Sequence, residues 1–236
     1  MEYIELWPGG PRFRQAEHFR LGTDSIVLAD FAQPKGAARG IDLGCGSGIL
    51  MLLLTSREPR LALTGLELQP EAAAVARENI AANNLEARCA VVEGDIRAHR
   101  ELFSAGSFDF AVANPPYFAG NSGARSPKAA RDLARSEEGF TLAELCEAAA
   151  FLLRTGGSLW LVYRPERLSE LCVALTARGL EPKRLRLVSS RPDSAPSLVL
   201  LEARRGGRPG LRVEPPLLLT DTDGGQSAEL RRIYHL

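Results

Sequence analysis

Four residues, Asn114-Pro115-Pro116-Tyr117, carry the clearest chemical content in the chain. They close an apolar run, Phe108-Asp109-Phe110-Ala111-Val112-Ala113, that reads as a short buried strand. Two consecutive prolines remove backbone donors, and Pro116 biases Pro115 away from helical geometry, so the turn is extended and stiff. The elbow offers two acceptors, the Asn114 side-chain oxygen and the Pro115 carbonyl, beside the aromatic face of Tyr117. Two acceptors can take both N–H bonds of an exocyclic amine while its ring stacks on the tyrosine. The chemistry implied is the gripping of a planar amino group.

A second constellation lies upstream. Gly40-Ile41-Asp42-Leu43-Gly44-Cys45-Gly46-Ser47-Gly48 runs a short strand into a glycine-rich turn, and the apolar stretch from Ile49 to Leu54 continues as a helix. Glycines at 44, 46 and 48 allow a tight turn and close approach to a ligand. The loop has no lysine, so it is not a phosphate-binding P-loop. Asp42 places a negative charge where an anionic pyrophosphate would be repelled. The next strand, 61–66, ends in Glu67, placed to accept hydrogen bonds from ribose hydroxyls; another, 88–92, precedes Gly94-Asp95-Ile96. An acid at the loop suits a cationic ligand bearing an amino acid group, and S-adenosylmethionine, with its sulfonium and ammonium, is one.

The 236 residues suffice for one α/β domain with small additions. Basic and acidic residues balance at 29 each, so no global field steers the chain to nucleic acid, and RNA contact must come from local patches. Cys45, Cys89, Cys146 and Cys172 are scattered, which argues against a zinc site or a disulfide framework and for a reducing compartment. No signal peptide is read, and no apolar run is long enough to span a bilayer. The expectation is a cytoplasmic protein without metal or membrane partners. The sequence sets no oligomeric state.

The elements that position these residues follow from hydrophobic period and punctuation. Residues 2–15 read as a hairpin with Pro8-Gly9-Gly10-Pro11 at its turn. A helix opens near Thr23 or Asp24, either of which could serve as N-cap, and runs to about Gln33. From Gly40 onward strands and helices alternate, as in a parallel sheet covered on both faces. Helices are expected at about 47–57, 70–83, 141–154 and 164–177, and Gly156-Gly157 should break the third of these to a strand at 158–163. Residues 181–189 and 197–204 read as strands whose short connection implies an antiparallel pair. Between Phe118 and Phe140, Arg125, Lys128, Arg131 and Arg135 follow the elbow, as a solvated loop or as a lid on substrate phosphates.

Asp42-Leu43-Gly44-Cys45-Gly46-Ser47-Gly48 resembles the first motif of the class I methyltransferases, and Asn-Pro-Pro-Tyr resembles the catalytic loop of those that methylate amino nitrogens. The resemblance implies a Rossmann-like α/β fold with a mostly parallel seven-stranded sheet, its last strand reversed, and S-adenosyl-L-methionine as cofactor. Glu67 then matches the ribose-binding acid and Asp95 the acid that meets the adenine amino group, with Gly44, Cys45, Gly46 and Gly48 forming the loop. Asn114, Pro115 and Tyr117 match the catalytic elbow, Asn114 also bordering the cofactor. The flanks are similar to the bacterial tRNA adenine N6-methyltransferases that act beside the anticodon of a valine tRNA. Gly22-Thr23-Asp24 matches their pocket-closing segment, and the ending through Ile233-Tyr234 fits. Two departures are Gln226-Ser227 in the terminal turn and the arginines at 204, 205, 208 and 212.

The resemblance divides the chain into residues 1–38, a hairpin and helix capping the cofactor site, and 39–236, the methyltransferase domain with a short extension. It implies methylation of adenine N6 at position 37 of a tRNA. Glutamine N5-methylation of a release factor and guanine N2-methylation of ribosomal RNA are the alternatives; a non-enzymatic scaffold would be expected to lack Asn114 or Tyr117. Release-factor enzymes typically carry an extra helical N-terminal domain, and fewer than 40 residues precede Gly40 here. No catalytic histidine is expected. The methylated amine is acidic enough to lose its proton after transfer, and His18, His99 and His235 read as surface or packing residues.

Overall fold

The computed structural model describes residues 2–16, 21–35, 38–115 and 140–235. Parallel strands β3 (Arg39–Leu43), β4 (Ala62–Glu67), β5 (Cys89–Glu93), β6 (Phe108–Ala113) and β7 (Leu153–Tyr163) form the heart of one sheet. Strands β8 (Leu180–Ser189) and β9 (Pro196–Arg205) complete it, β9 lying antiparallel between β7 and β8. The order β8-β9-β7-β6-β3-β4-β5 bears out the seven expected strands and the reversed last one. Two two-residue strands, β10 (Arg212–Val213) and β11 (Leu217–Leu218), also pair with β8 and bring the sheet to nine strands. Before it, β1 (Ile4–Glu5) and β2 (Arg12–Phe13) form the expected hairpin.

Strand residues divide between two apolar layers with a period of two. Phe110, Val112, Trp160 and Val162 face one layer, while Ala111, Ala113, Leu159, Leu161 and Tyr163 face the other; Phe108, beyond the register irregularity between it and Phe110, breaks the alternation and joins the second layer. The first layer is closed by α1 (Thr23–Phe31), α2 (Ile49–Arg57), α3 (Pro70–Ala82) and α7 (Ala228–Ile233). Helix α2 buries Leu50, Met51, Leu52, Leu53 and Leu54 in succession, so it is apolar nearly all round. Helix α3 starts on Pro70 and buries residues at the helical spacing 72/73, 75/76 and 79/80. The second layer is closed by α5 (Leu142–Leu152) and α6 (Leu168–Thr176), with the single turn α4 (His99–Leu102) beside them.

Three boundaries differ from expectation. Helix α1 is capped by extended Gly22, without a side-chain cap, and not by Thr23 or Asp24. The reason is tertiary: the Thr23 hydroxyl accepts a hydrogen bond from the Tyr234 hydroxyl (3.2 Å) and is engaged across the fold. Strand β7 begins at Leu153, directly after α5, and not at Ser158. Leu153 pairs with Phe108 and Ser158 with Phe110, so 154–157 are accommodated as an irregularity inside the strand, with Gly156 at φ +81°. The helix from Arg164 is a 3₁₀ turn, Pro165–Arg167, before α6 proper.

Candidate functional site

Strand order reverses between β3 and β6: β4 and β5 follow on one side, β7 on the other. Ligands of open α/β sheets bind at the C-terminal ends of strands at such a switch point. Asp95, Glu67, Asp42 and Asn114 lie at or just past those ends on β5, β4, β3 and β6, four neighbours in the sheet. The sheet thus brings the expected cofactor acids and the first residue of the elbow to one edge.

The glycine loop is built as its sequence requires. Gly44, Gly46 and Gly48 have φ of +78°, +53° and +79°, left-handed values that side chains rarely adopt. Gly44 and Cys45 donate their backbone N–H groups to Leu66 O at 2.9 and 3.1 Å, and Gly46 N–H donates to Glu67 Oε2 at 2.8 Å. The other Glu67 oxygen accepts from Gln69 N–H at 2.9 Å. Glu67 is therefore both a strand-end acid and a brace for the loop. Cys45 is buried with its sulfur against Gly65, where an added Cβ would lie 2.6 Å from it. Burial pushes the Cys45 thiol well up, with Asp42 and Glu67 adding to the effect, so no reactive thiolate is offered. The Phe140 ring lies near Gly44, 3.6 Å from where its Cβ would be.

Asp42 is the anomaly of this edge. It is fully buried, and among the described residues neither carboxyl oxygen has a hydrogen-bond partner. Its pKa is pushed up to about 8, chiefly by burial and then by the charge of Glu67. Glu67 is itself raised by burial, partly offset by its backbone N–H donors. Two carboxylates in low dielectric favour a cation between them. That is the donor set an ammonium and sulfonium ligand needs, so the residues present fit S-adenosyl-L-methionine.

Asp95 departs from the simple picture. It caps the 3₁₀ turn Ile96–Ala98 by accepting from Arg97 N–H at 2.9 Å, and it pairs with the Arg97 guanidinium. That hydrogen-bonded ion pair holds its carboxyl below the usual range. Any contact with an adenine amino group must use lone pairs left over from Arg97.

Asn114 is half-buried and Pro115 buried. Asn114 Nδ2 donates to Ser25 Oγ of α1 at 3.0 Å. Pro116 and Tyr117 lie outside the described residues, as do His18 and the basic positions Arg125, Lys128, Arg131 and Arg135. His99 is buried with Nδ1 at 2.8 Å from Ile96 O, and His235 stacks on Trp7, so both pack as expected.

Three polar residues at the site escaped sequence reasoning: Ser25, Ser47 and Asn79. Asn79, fully buried on α3, accepts from Arg14 N–H at 2.7 Å and donates to Arg14 O and Ser47 O. Ser47 Oγ accepts from Ala16 N–H at 3.0 Å. Together they strap the stretch after the hairpin onto the glycine loop. The one signal available was a polar residue, Asn79, on the apolar face of a helix.

A second cleft, about 640 Å³, opens at the other end of the sheet, lined by Lys35, Asp109, Arg154, Arg184, Glu202 and Arg212 among others. Here the lining arginines are ion-paired, although cations outnumber acids. Arg154 pairs with Asp109, Arg184 with Glu202 and Glu214, Arg204 with Glu202, and Arg212 with Glu214. Arg205 donates to Leu153 O, and the Arg208 carbonyl accepts from Lys183. Asp109 precedes Asn114 by five strand positions, roughly 17 Å at about 3.3 Å per residue. Among the described residues no group of His, Cys, Asp or Glu is placed to hold a metal ion, and no helix is long and apolar enough to cross a membrane.

Comparison with known proteins agrees with this geometry. The family model described as "Methyltransferase small domain" matches residues 18–173. The tRNA1(Val) (adenine(37)-N6)-methyltransferase of Tolumonas auensis is 38% identical over 211 residues, 89% of this chain and 86% of the relative. Its namesake from Porphyromonas gingivalis is 34% identical over 78% of this chain and 74% of its own length. Among solved structures, one described as a predicted O-methyltransferase from Agrobacterium tumefaciens superposes with a TM-score of 0.73 at 24% identity, covering 90% of this chain and 95% of that one. A geranyl diphosphate C-methyltransferase from Streptomyces coelicolor A3(2) gives 0.56 at 14% identity over 77% and 79%; both likenesses concern the fold. With the switch-point acids, the glycine loop and a family model spanning most of the sheet in agreement, the chain belongs to the methyltransferase small domain family.

Proposed function

We propose that this enzyme transfers a methyl group from S-adenosyl-L-methionine to N6 of an adenine beside a tRNA anticodon, position 37. The observation that carries the reading is Asn114 at the end of β6, one strand from the unpartnered Asp42 carboxyl, in a chain 38% identical to a relative of that name. When bound, the cofactor supplies an electrophilic methyl group. Asp42 and Glu67 hold its cationic and ribose portions, and the glycine loop lets it approach the backbone. Thr23, Asp24 and the strapped stretch 14–16 close the same edge, so residues 1–38 act as a cap.

The target adenine must leave its stack, which costs less in an anticodon loop than in a duplex. Tyr117 stacks on the extruded ring. Asn114 Oδ1 and the Pro115 carbonyl accept the two amino hydrogens and aim the nitrogen at the methyl carbon. A ring-conjugated amine is a poor nucleophile, and two fixed acceptors favour the positive charge that builds on it during transfer. Arg125, Lys128, Arg131 and Arg135, which follow the elbow in sequence, are the RNA contacts of this reading; of the far arginines, Arg204 and Arg212 are already paired with acids. Free cysteines, three of them buried, suit work in the cytoplasm.

The test compares methyl transfer onto bulk tRNA, ribosomal RNA and purified release factor. The expected product is N6-methyladenosine in tRNA alone. Methylated guanosine in ribosomal RNA, or methylglutamine in release factor, in its place would overturn the assignment.

A further inference from the structure

We infer that Ser25 is a positioning residue that sets the orientation of the Asn114 amide; the inference rests on the role given to Asn114 above. A primary amide presents an acceptor on one side and two donors on the other. Only the acceptor side can hold an amino group, because a reversed amide would set donor against donor. Asn114 Nδ2 donates to Ser25 Oγ at 3.0 Å, which places the nitrogen on the α1 side and Oδ1 on the other.

Ser25 is itself fixed. It is 6% exposed, with buried Ile26, Val27, Leu28 and Ala29 following it in α1. The helix is latched from the C-terminal end of the chain. The Tyr234 hydroxyl donates to Thr23, and Arg232 pairs with Asp30 at 3.0 Å, which also holds Arg57 at 2.9 Å. A hydroxyl on so constrained a helix can define an amide rotamer; one on a loose loop could not. The arrangement also gives Gly22-Thr23-Asp24-Ser25 a second task beside closing the cofactor pocket: its fourth residue holds the acceptor of the elbow.

Ser25→Ala removes the hydroxyl without adding volume. Its kcat should fall about three- to tenfold, the worth of one hydrogen bond. KM for tRNA and affinity for S-adenosylmethionine should stay within twofold, because Ser25 is buried behind Asn114. Ser25→Thr, which keeps the hydroxyl, should restore kcat to near wild type. In an Asn114→Ala background Ser25→Ala should cost nothing further, since the two changes remove one interaction. The Asn114 side-chain amide protons, assigned by their loss in Asn114→Ala, should shift and exchange faster with solvent in Ser25→Ala. An unchanged kcat in Ser25→Ala, an equal loss in both backgrounds, or unmoved amide resonances would overturn the inference. If the wild-type chain methylates no tRNA, the functional reading falls instead, and the amide resonances still judge Ser25.

Discussion

The two ends of the sheet use charge in opposite ways. At the N-terminal end of β3, β6 and β7, Arg154, Arg184, Arg204 and Arg212 all meet acids, and their cleft is an ion-pair network. At the C-terminal end, Asp42 is buried without a hydrogen-bond partner among the described residues, and Glu67 adds to its burden. The first end is richer in charge, and the second is where a buried carboxyl is left without a partner among the described residues. Folding alone does not favour an orphaned buried carboxyl, which is why the ligand site is proposed at the end that holds one.

Breaking the chemistry should give the largest effect. Asn114→Ala should lower turnover at least about a hundredfold while S-adenosylmethionine affinity is kept, as when one preorganised polar contact is removed. Single-turnover kinetics beside titration calorimetry separate the two quantities, and near-normal turnover would remove the elbow from the mechanism.

Glu67→Ala should weaken cofactor binding by roughly 1.5–3 kcal/mol, the range for hydrogen bonds to charged groups. The variant also frees Gly46 N–H, so hydrogen exchange should rise in the glycine loop. Unchanged affinity would dismiss the ribose-acid assignment.

The raised pKa of Asp42 makes a smaller, pH-dependent prediction. A carboxyl held at about 8 in the folded chain and near 3.8 when unfolded binds its proton more tightly when folded. Its contribution to stability is complete below the unfolded value and is lost as pH rises through about 8. Asp42→Asn should therefore gain stability relative to wild type as pH rises across that window without cofactor. A stability difference constant with pH, measured by denaturant titration, would contradict the assignment.

The smallest effect is expected at the far end. Reversing Arg204 and Arg212 should leave the log–log salt slope of tRNA affinity nearly unchanged. Reversing Arg125, Lys128, Arg131 and Arg135 should flatten it by about one unit for each phosphate the protein ceases to neutralise. The opposite ranking would move the RNA to the ion-paired end.

Much of this was legible in the chain because the signals were local. The apolar runs of β3, β4 and β6, Pro70 at the start of α3 and the left-handed glycines at 44, 46 and 48 are each dictated within a few residues. Asn84, at φ +55° just past α3, is a local stop of the same kind. What escaped was set across the fold. Thr23 gave up its capping role to Tyr234, 211 positions away, and Ser25 meets Asn114 across 89. Strand β7 starts early because Leu153 pairs with Phe108, a pairing that Gly156-Gly157 argues against locally. Strands β10 and β11 are too short for any alternation to show.

The most direct measurement is calorimetric titration of S-adenosylmethionine into wild type, Asp42→Asn and the Arg204/Arg212 reversal between about pH 6 and 9. Wild type should bind more tightly as pH rises toward about 8, with proton release, because binding a cation draws the proton from Asp42. Asp42→Asn should bind at least about tenfold more weakly and lose that pH dependence, while the far-end reversal should follow wild type. Equal affinities and pH profiles for wild type and Asp42→Asn would contradict the claim that the unpartnered carboxyl marks the cofactor site.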